Sequence, residues 1–278
     1  MGSITNYLEN ELLDHITGEG AYAHVATTYA ALVTVDPDDT ADAAFMAANE
    51  VVVGAGTYAR QAITWNPAAA GNRAISNNGA LVFSAVGAAF GTIHGVCVMD
   101  SDVEGAGNVL GWCLVTEKAV ADGETYTIAT GDLDISIDAS GAGGGIHSTF
   151  ADELLNFAFD DTDMADRDGA TAPWVALFTA NGSDAAHGTE VVVGGSNYAR
   201  KQDTFAGAAG GTSDNDTQLD WVCAGANYGT VSGIGLMKTT TEAATDLMFW
   251  FDSVEGDAVI DIGDTFQIVA GGLDVTLT

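Results

Sequence analysis

Glu50-Val51-Val52-Val53-Gly54 returns as Glu190-Val191-Val192-Val193-Gly194, 140 positions later. Tyr58-Ala59-Arg60 follows the first block, and Tyr198-Ala199-Arg200 follows the second at the same interval. Further blocks keep the same order. Phe90-Gly91-Thr92 answers to Tyr228-Gly229-Thr230, and Trp112 aligns by identity with Trp250, both at an interval of 138. Gly123, Ile128, Leu133 and Asp134 answer to Gly263, Ile268, Leu273 and Asp274, again at 140. Ordered self-similarity over a whole chain marks a tandem duplication. The reading is a first copy at 1–138, a glycine-rich flexible linker at 139–147 and a second copy at 148–278.

Each copy opens with an amphipathic helix. Leu8, Leu12, Leu13 and Ile16 share one face in the first, and Leu154, Leu155 and Phe159 share one in the second. Strand patterns follow. Ala31–Val35 and Trp174–Phe178 read as one buried strand, and the Val-Val-Val blocks as the next. Tyr126–Ile128 and Leu133–Ile137 read as a closing hairpin, with Leu273–Leu277 alternating like the latter. Short strands separated by glycine turns predict a mainly β chain. The expected fold is two tandem antiparallel β-sandwich domains, jelly-roll or immunoglobulin-like, each with a short N-terminal helix.

The 278 residues carry 39 acids against 7 Lys and Arg, a formal charge of −32. The acids are scattered, so the whole surface is a negative field. At molar salt the Debye length falls to about 3 Å and the self-repulsion is screened, which points to a high-salt setting. The same field opposes nucleic-acid binding and docking on anionic lipid. No apolar run reaches the length of a membrane span. Residues 1–16 lack a basic stretch followed by an apolar core, so synthesis in the host cytoplasm is expected.

Catalytic chemistry finds little footing. Cys97, Cys113 and Cys223 do not recur between copies and lack metal-ligand spacing, so they read as small buried hydrophobes. No histidine recurs at an equivalent position, and neither a G-x-S-x-G elbow nor an HExxH is present. His94, Cys97 and Asp100 form the nearest approach to a cluster, but strand alternation turns His94 and Cys97 to opposite faces. No catalytic or cofactor-binding residue is expected. Two acidic loops could hold structural Ca²⁺ or Mg²⁺: Asp36, Asp38, Asp39 and Asp42 in one, Asp161, Asp163, Asp166 and Asp168 in the other. Their alternative reading is solvated loops screened by salt. Arg60 and Arg200 are rare cations retained beside Tyr58 and Tyr198, which predicts a structural clamp on a carboxylate at a strand end.

Leu154–Phe157, Val175–Thr179, Gly188–Val191 and Asn197–Arg200 in the second copy resemble a widespread family of tailed-phage virion proteins. Phe90–Ile93, Asn108–Trp112, Gly123–Thr125 and Gly131–Leu133 continue the resemblance in the first. Such proteins are labelled tail fibre or capsid-surface proteins. The resemblance implies a non-enzymatic structural role on the virion surface and a halophilic, archaeal-virus source when joined to the acidity. Its expected partners are the major capsid protein or tail and baseplate proteins, further copies of the chain as a homo-oligomer, and the host surface. A capsid decoration or turret is the main expectation. A tail fibre or baseplate subunit binding a host glycan or glycoprotein is the alternative.

The charge argument predicts a melting temperature that falls steeply as salt is diluted below about 1 M. Scanning calorimetry across a salt series checks this, and a flat profile would leave the acids a solubility role alone.

Overall fold

A computed structural model describes residues 2–52, 56–68, 72–137, 144–160, 172–183, 186–192, 194–240 and 248–277, the side chains of 144, 145 and 149 apart. The chain is mainly β, in two repeats that each open with a three-residue strand followed by a helix. The first repeat runs β1 (Gly2–Ile4), α1 (Asn6–Thr17), β2 (Tyr29–Val33), α2 (Ala43–Asn49), β3 (Gln61–Ala62) and β4 (Trp65–Asn66). It continues through β5 (Ala74–Asn77), β6 (Leu81–Ser84), β7 (Gly91–Met99), β8 (Val109–Val120), β9 (Thr125–Ile128) and β10 (Asp134–Ser136). The second runs β11 (Gly144–Ile146), α3 (Ser148–Phe159), β12 (Trp174–Ala180), β13 (Thr189–Glu190), β14 (Lys201–Gln202) and β15 (Thr212–Asp214). Its last strands are β16 (Leu219–Val222), β17 (Gly229–Met237), β18 (Met248–Ile260), β19 (Thr265–Ile268) and β20 (Asp274–Thr276).

The compact units do not coincide with the sequence repeats. One comprises Met1–Glu9, Ala23–Asp138 and Asp152–Asp163; the other comprises Asn10–Tyr22, Ala139–Ala151 and Met164–Thr278. Side-chain contacts hold the exchanged segments in their units. Within the first unit, Asp152 Oδ1 accepts the Arg73 N–H at 2.7 Å and Asn156 Oδ1 accepts the Ala68 N–H at 2.6 Å. Phe159 packs on Trp65 there with ring centroids 5.4 Å apart. Within the second, Asn10 Oδ1 accepts the Gly211 N–H at 2.9 Å and Asp14 Oδ1 accepts the Ala208 N–H at 2.5 Å. Gly144–Ile146, inside the stretch read as a linker, is a strand paired with β18. Residues 138–143 lie outside the described residues.

The first unit holds an eight-stranded sheet of order β3-β2-β7-β8-β1-β10-β5-β4, with β6 and β9 as a separate pair. Its pairings are antiparallel except β1 with β10, which is parallel. The two are a whole repeat apart, so no tight turn forces them antiparallel. A Cβ at Gly2 would collide with the Trp112 carbonyl, which is why glycine opens this inserted strand. Ala31, Val33, Cys97 and Met99 pack with Met46 on one face of β2 and β7. The second unit holds a six-stranded sheet of order β11-β18-β17-β12-β13, with β14 also on β12, and the pairs β15–β20 and β16–β19. Ala176, Phe178, Met237, Met248 and Phe251 form a cluster on it.

The predicted helices form, with Leu8, Leu12 and Leu13 fully buried on α1 and Leu154 and Leu155 on α3. Three strand readings change. Val51, Val52, Val191 and Val192 stand outside the strands: pairing ends at Glu50 and at Glu190, and the next valine still donates its N–H to the Leu32 or Leu177 carbonyl, while Val53 and Val193 lie outside the described residues. Val51 and Val191 are buried while Val52 and Val192 are exposed, as at the last paired position of an edge.

The closing hairpin is also not one. β9 pairs β6, whereas β10 pairs β5 and β1. Buried Asn77 fixes the crossing. Its Nδ2 donates to the carbonyls of Gly79 and Ala129, and its Oδ1 accepts the Leu133 N–H. Asn215 repeats this with the Thr217 and Val269 carbonyls and the Leu273 N–H. Finally, Cys97 faces Trp112 across β7 and β8, while its counterpart Gly235 faces Phe251. The structural partner of Trp112 is thus Phe251, one residue from the match made on identity.

Glu9 lies in the first turn of α1 and is almost fully buried. Burial first, and the nearby Asp39 charge second, raise its carboxyl from the ordinary 4.5 to about 7. Below pH 4.5 the group is protonated folded or unfolded and has no effect. Between 4.5 and 7 the folded chain binds the extra proton, so stability falls as pH rises, and the full penalty holds above 7. Glu9→Gln is expected to raise the melting temperature at pH 8 and to leave it unchanged at pH 4. An equal shift at both values would mean that the carboxyl does not titrate in this window.

Candidate functional site

The feature most fully built in both units is a buried carboxylate at the end of a strand. In the first unit Glu50 bridges Val33 at the edge of β2. Its Oε1 accepts from Arg60 Nε at 2.8 Å and from the Tyr58 hydroxyl at 3.0 Å. Its Oε2 accepts from Arg60 Nη2 at 2.8 Å and from the Gly105 N–H at 3.1 Å. The Tyr58 hydroxyl in turn accepts the Leu32 N–H at 2.9 Å, taking an edge donor that β3 does not reach. Arg60 Nη1 donates to the carbonyls of Ser101 and Ala106 at 2.7 and 2.8 Å. One guanidinium thereby ties the β2 edge to the loop between β7 and β8.

The second unit repeats the arrangement. Glu190 Oε1 accepts from Arg200 Nε at 2.9 Å and from the Tyr198 hydroxyl at 2.8 Å, and Oε2 accepts from Arg200 Nη2 at 2.7 Å. The Tyr198 hydroxyl accepts the Leu177 N–H at 2.9 Å, and Arg200 Nη1 donates to the Thr239 carbonyl at 3.0 Å. Leu32 and Leu177 are equivalent by this contact although 145 positions apart. The extra spacing beyond 140 reflects a connection after β2 that is longer in the first repeat and carries α2. All four charged residues are at most 6% exposed. Burial, followed by the adjacent carboxylate, raises the hydroxyls of Tyr58 and Tyr198 far above their ordinary value. Both hydroxyls therefore stay protonated as donors.

The other candidates fall elsewhere. Cys97, Cys113 and Cys223 are buried free thiols, and burial pushes Cys97 up to about 12, which removes it as a nucleophile near neutrality. His94 Nδ1 meets Asp36 Oδ1 at 3.1 Å rather than Cys97, and Asp100 accepts from Asn108. In the first acidic loop Asp42 caps α2 by accepting the Phe45 N–H, and Asp38 accepts from Thr40. Those carboxylates are engaged in local turns. Asp161, Asp163, Asp166 and Asp168 lie outside the described residues. Among the described residues no group of three or more His, Cys, Asp or Glu is placed to hold a metal ion, and no helix is long and apolar enough to cross a membrane. Sequence reasoning missed Glu50 and Glu190 as the carboxylates of the clamps, although both stand in the repeated motif. It also missed Asn77 and Asn215, whose only signal is a shared position 138 apart.

A buried pair loses most when one partner goes, because the other is left charged and dry. Arg60→Met is expected to destabilise by about 3–5 kcal/mol. Tyr58→Phe, which removes one donor and one acceptor, should cost about 1–3 kcal/mol. The double variant Glu50→Leu/Arg60→Met should recover a large part of the single loss. Urea unfolding of these three and of Glu50→Leu alone checks this, and a double variant as unstable as the sum of the Glu50→Leu and Arg60→Met losses would argue against coupling through the pair.

The family model described as podophage GP4 fiber I protein gp80 matches the chain at residues 3–136 and again at 145–276. A comparison with curated proteins gives no match. The two matched regions follow the two repeats and take in both Tyr–Glu–Arg sites. The chain belongs to this family of phage fibre proteins and carries its domain twice in tandem.

Proposed function

We propose that the protein is a non-enzymatic fibre subunit on the tail of a tailed virus particle, exposed on the virion surface and assembled with other tail or baseplate proteins. The double match to a fibre family carries this reading. It favours the tail over the capsid decoration expected from sequence, since the family is described by its fibre and not by a head component. The features retained in both repeats support a building block: clamps, asparagine staples and turns recur, while histidines, cysteines and acidic loops do not. The acidity supports a particle assembled and used at high salt, in a halophilic host. Two like domains per chain suit a homo-oligomer contacting a repetitive host surface, because linked modules raise effective concentration.

Antibody labelling of purified particles, viewed by electron microscopy, tests the placement. Label confined to the tail is expected, and label spread over the head would return the decoration reading. Added soluble protein should also slow adsorption of particles to host cells at molar salt; undiminished adsorption would remove the host-contact part alone.

A further inference from the structure

In each unit the longest strand enters a tight turn and leaves it as a strand with which it does not pair. β8 runs into Ala121–Glu124, where the Glu124 N–H donates to the Ala121 carbonyl at 3.1 Å, and β9 leaves. β18 runs into Asp261–Asp264 with the same bond at 3.0 Å, and β19 leaves. β8 pairs β7 and β9 pairs β6, on outer edges. Among the described residues the inner edge of β8 has no strand partner beyond Trp112, where β1 ends, and β9 has none on its second edge. β18 beyond Asp252 and β19 stand likewise.

A groove opens between the two strands in both units. In the first it has a volume of about 330 Å³ and is lined by Leu114, Thr116, Lys118, Tyr126 and Ile128. In the second it has about 410 Å³ and is lined by Asp252, Glu255, Phe266, Ile268 and Asp274. Backbone edges without a strand partner beside an aromatic and aliphatic wall are the setting in which an extended peptide adds as a strand.

The units differ in what fills the groove. In the first, the Lys118 ammonium lies 5.7 Å from the centre of the Tyr126 ring and donates to the Thr125 carbonyl at 3.1 Å. The chain's own lysine closes its mouth. Strand register puts Ala258 at the equivalent place, since Lys118 faces Ile93 and Ala258 faces Val231. No Lys or Arg lines the second groove, and three carboxylates do. Burial holds the Asp252 and Asp274 carboxyls above their ordinary range, Asp274 further raised by Asp214. A nearby cation would relieve both. The chain has only three lysines, and Lys118 and Lys201 already lie over rings of their own unit.

We propose that the second unit's groove docks an extended, lysine-bearing segment of another protein, which adds as a strand between β18 and β19 and lays a lysine stem on Phe266 with its ammonium among the groove carboxylates. The first unit's groove is the same site occupied by Lys118.

The probe is an acetylated, amidated Thr-Lys-Val-Lys-Thr-Lys peptide, titrated calorimetrically into the full chain. Its controls are the norleucine analogue and a peptide of equal charge with proline at the valine. One site per chain is expected, weakened at least tenfold by either control. Ala258→Lys, which changes the net charge by one, should abolish binding. Lys118→Ala should raise the stoichiometry to two. Equal binding of the proline peptide, or binding indifferent to Ala258→Lys, would show only attraction to a negative surface and would overturn the proposal, as would no binding at all.

Discussion

The buried glutamate–arginine pair is the interaction on which the rest of each unit hangs. Two opposite charges in a dry interior are costly to place there, and they are tolerated only when every lone pair and N–H finds a partner. Glu50 meets this condition through Arg60, Tyr58 and Gly105, and Glu190 through Arg200 and Tyr198. Because the partners come from a strand edge, a following loop and the β7–β8 connection, satisfying one carboxylate fixes three pieces of chain that are distant in sequence. Apolar packing alone is non-directional and would not fix their registration.

The same logic explains the asparagines. The chain crosses from the small strand pair to the large sheet after Ile128, and its backbone groups there lie outside any ladder. A buried amide offers two donors and an acceptor, and Asn77 uses all three on this crossing. Clamp and staple are both polar devices that satisfy backbone where β pairing stops. They recur in the two repeats because the β scaffold fails to satisfy itself at the same two places.

Much of this was legible in the sequence, with limits that have physical causes. Helix faces were readable because Leu8, Leu12 and Leu13 repeat with the helical period. Buried strands such as β2 were readable as short apolar runs. Pairing partners were not. Alternation in Leu133–Ile137 shows a half-buried strand but not which neighbour it joins, so β9 and β10 looked like a hairpin. The match of Trp112 with Trp250 rewarded identity, whereas the sheet rewards register, and a bulge between Ser253 and Ala258 restores the count further along. The carboxylate bound by each arginine stood in the most visible motif of the chain. It was hidden because a glutamate beside three valines reads as exposed alternation until its burial is seen.

The order of pairing in the first unit bears on how the chain is made. β1 precedes both of its neighbours, β8 and β10, by more than a hundred residues. Residues 152–160, which complete the same unit, follow later still. At the usual rate of about 5–20 residues per second, the growing chain spends several seconds with an early strand and an apolar helix waiting for partners. A formal charge of −32 on each chain opposes contact between such unfinished copies wherever salt leaves it unscreened. In that setting the same acidity is a safeguard during translation, when many nascent copies share one cell.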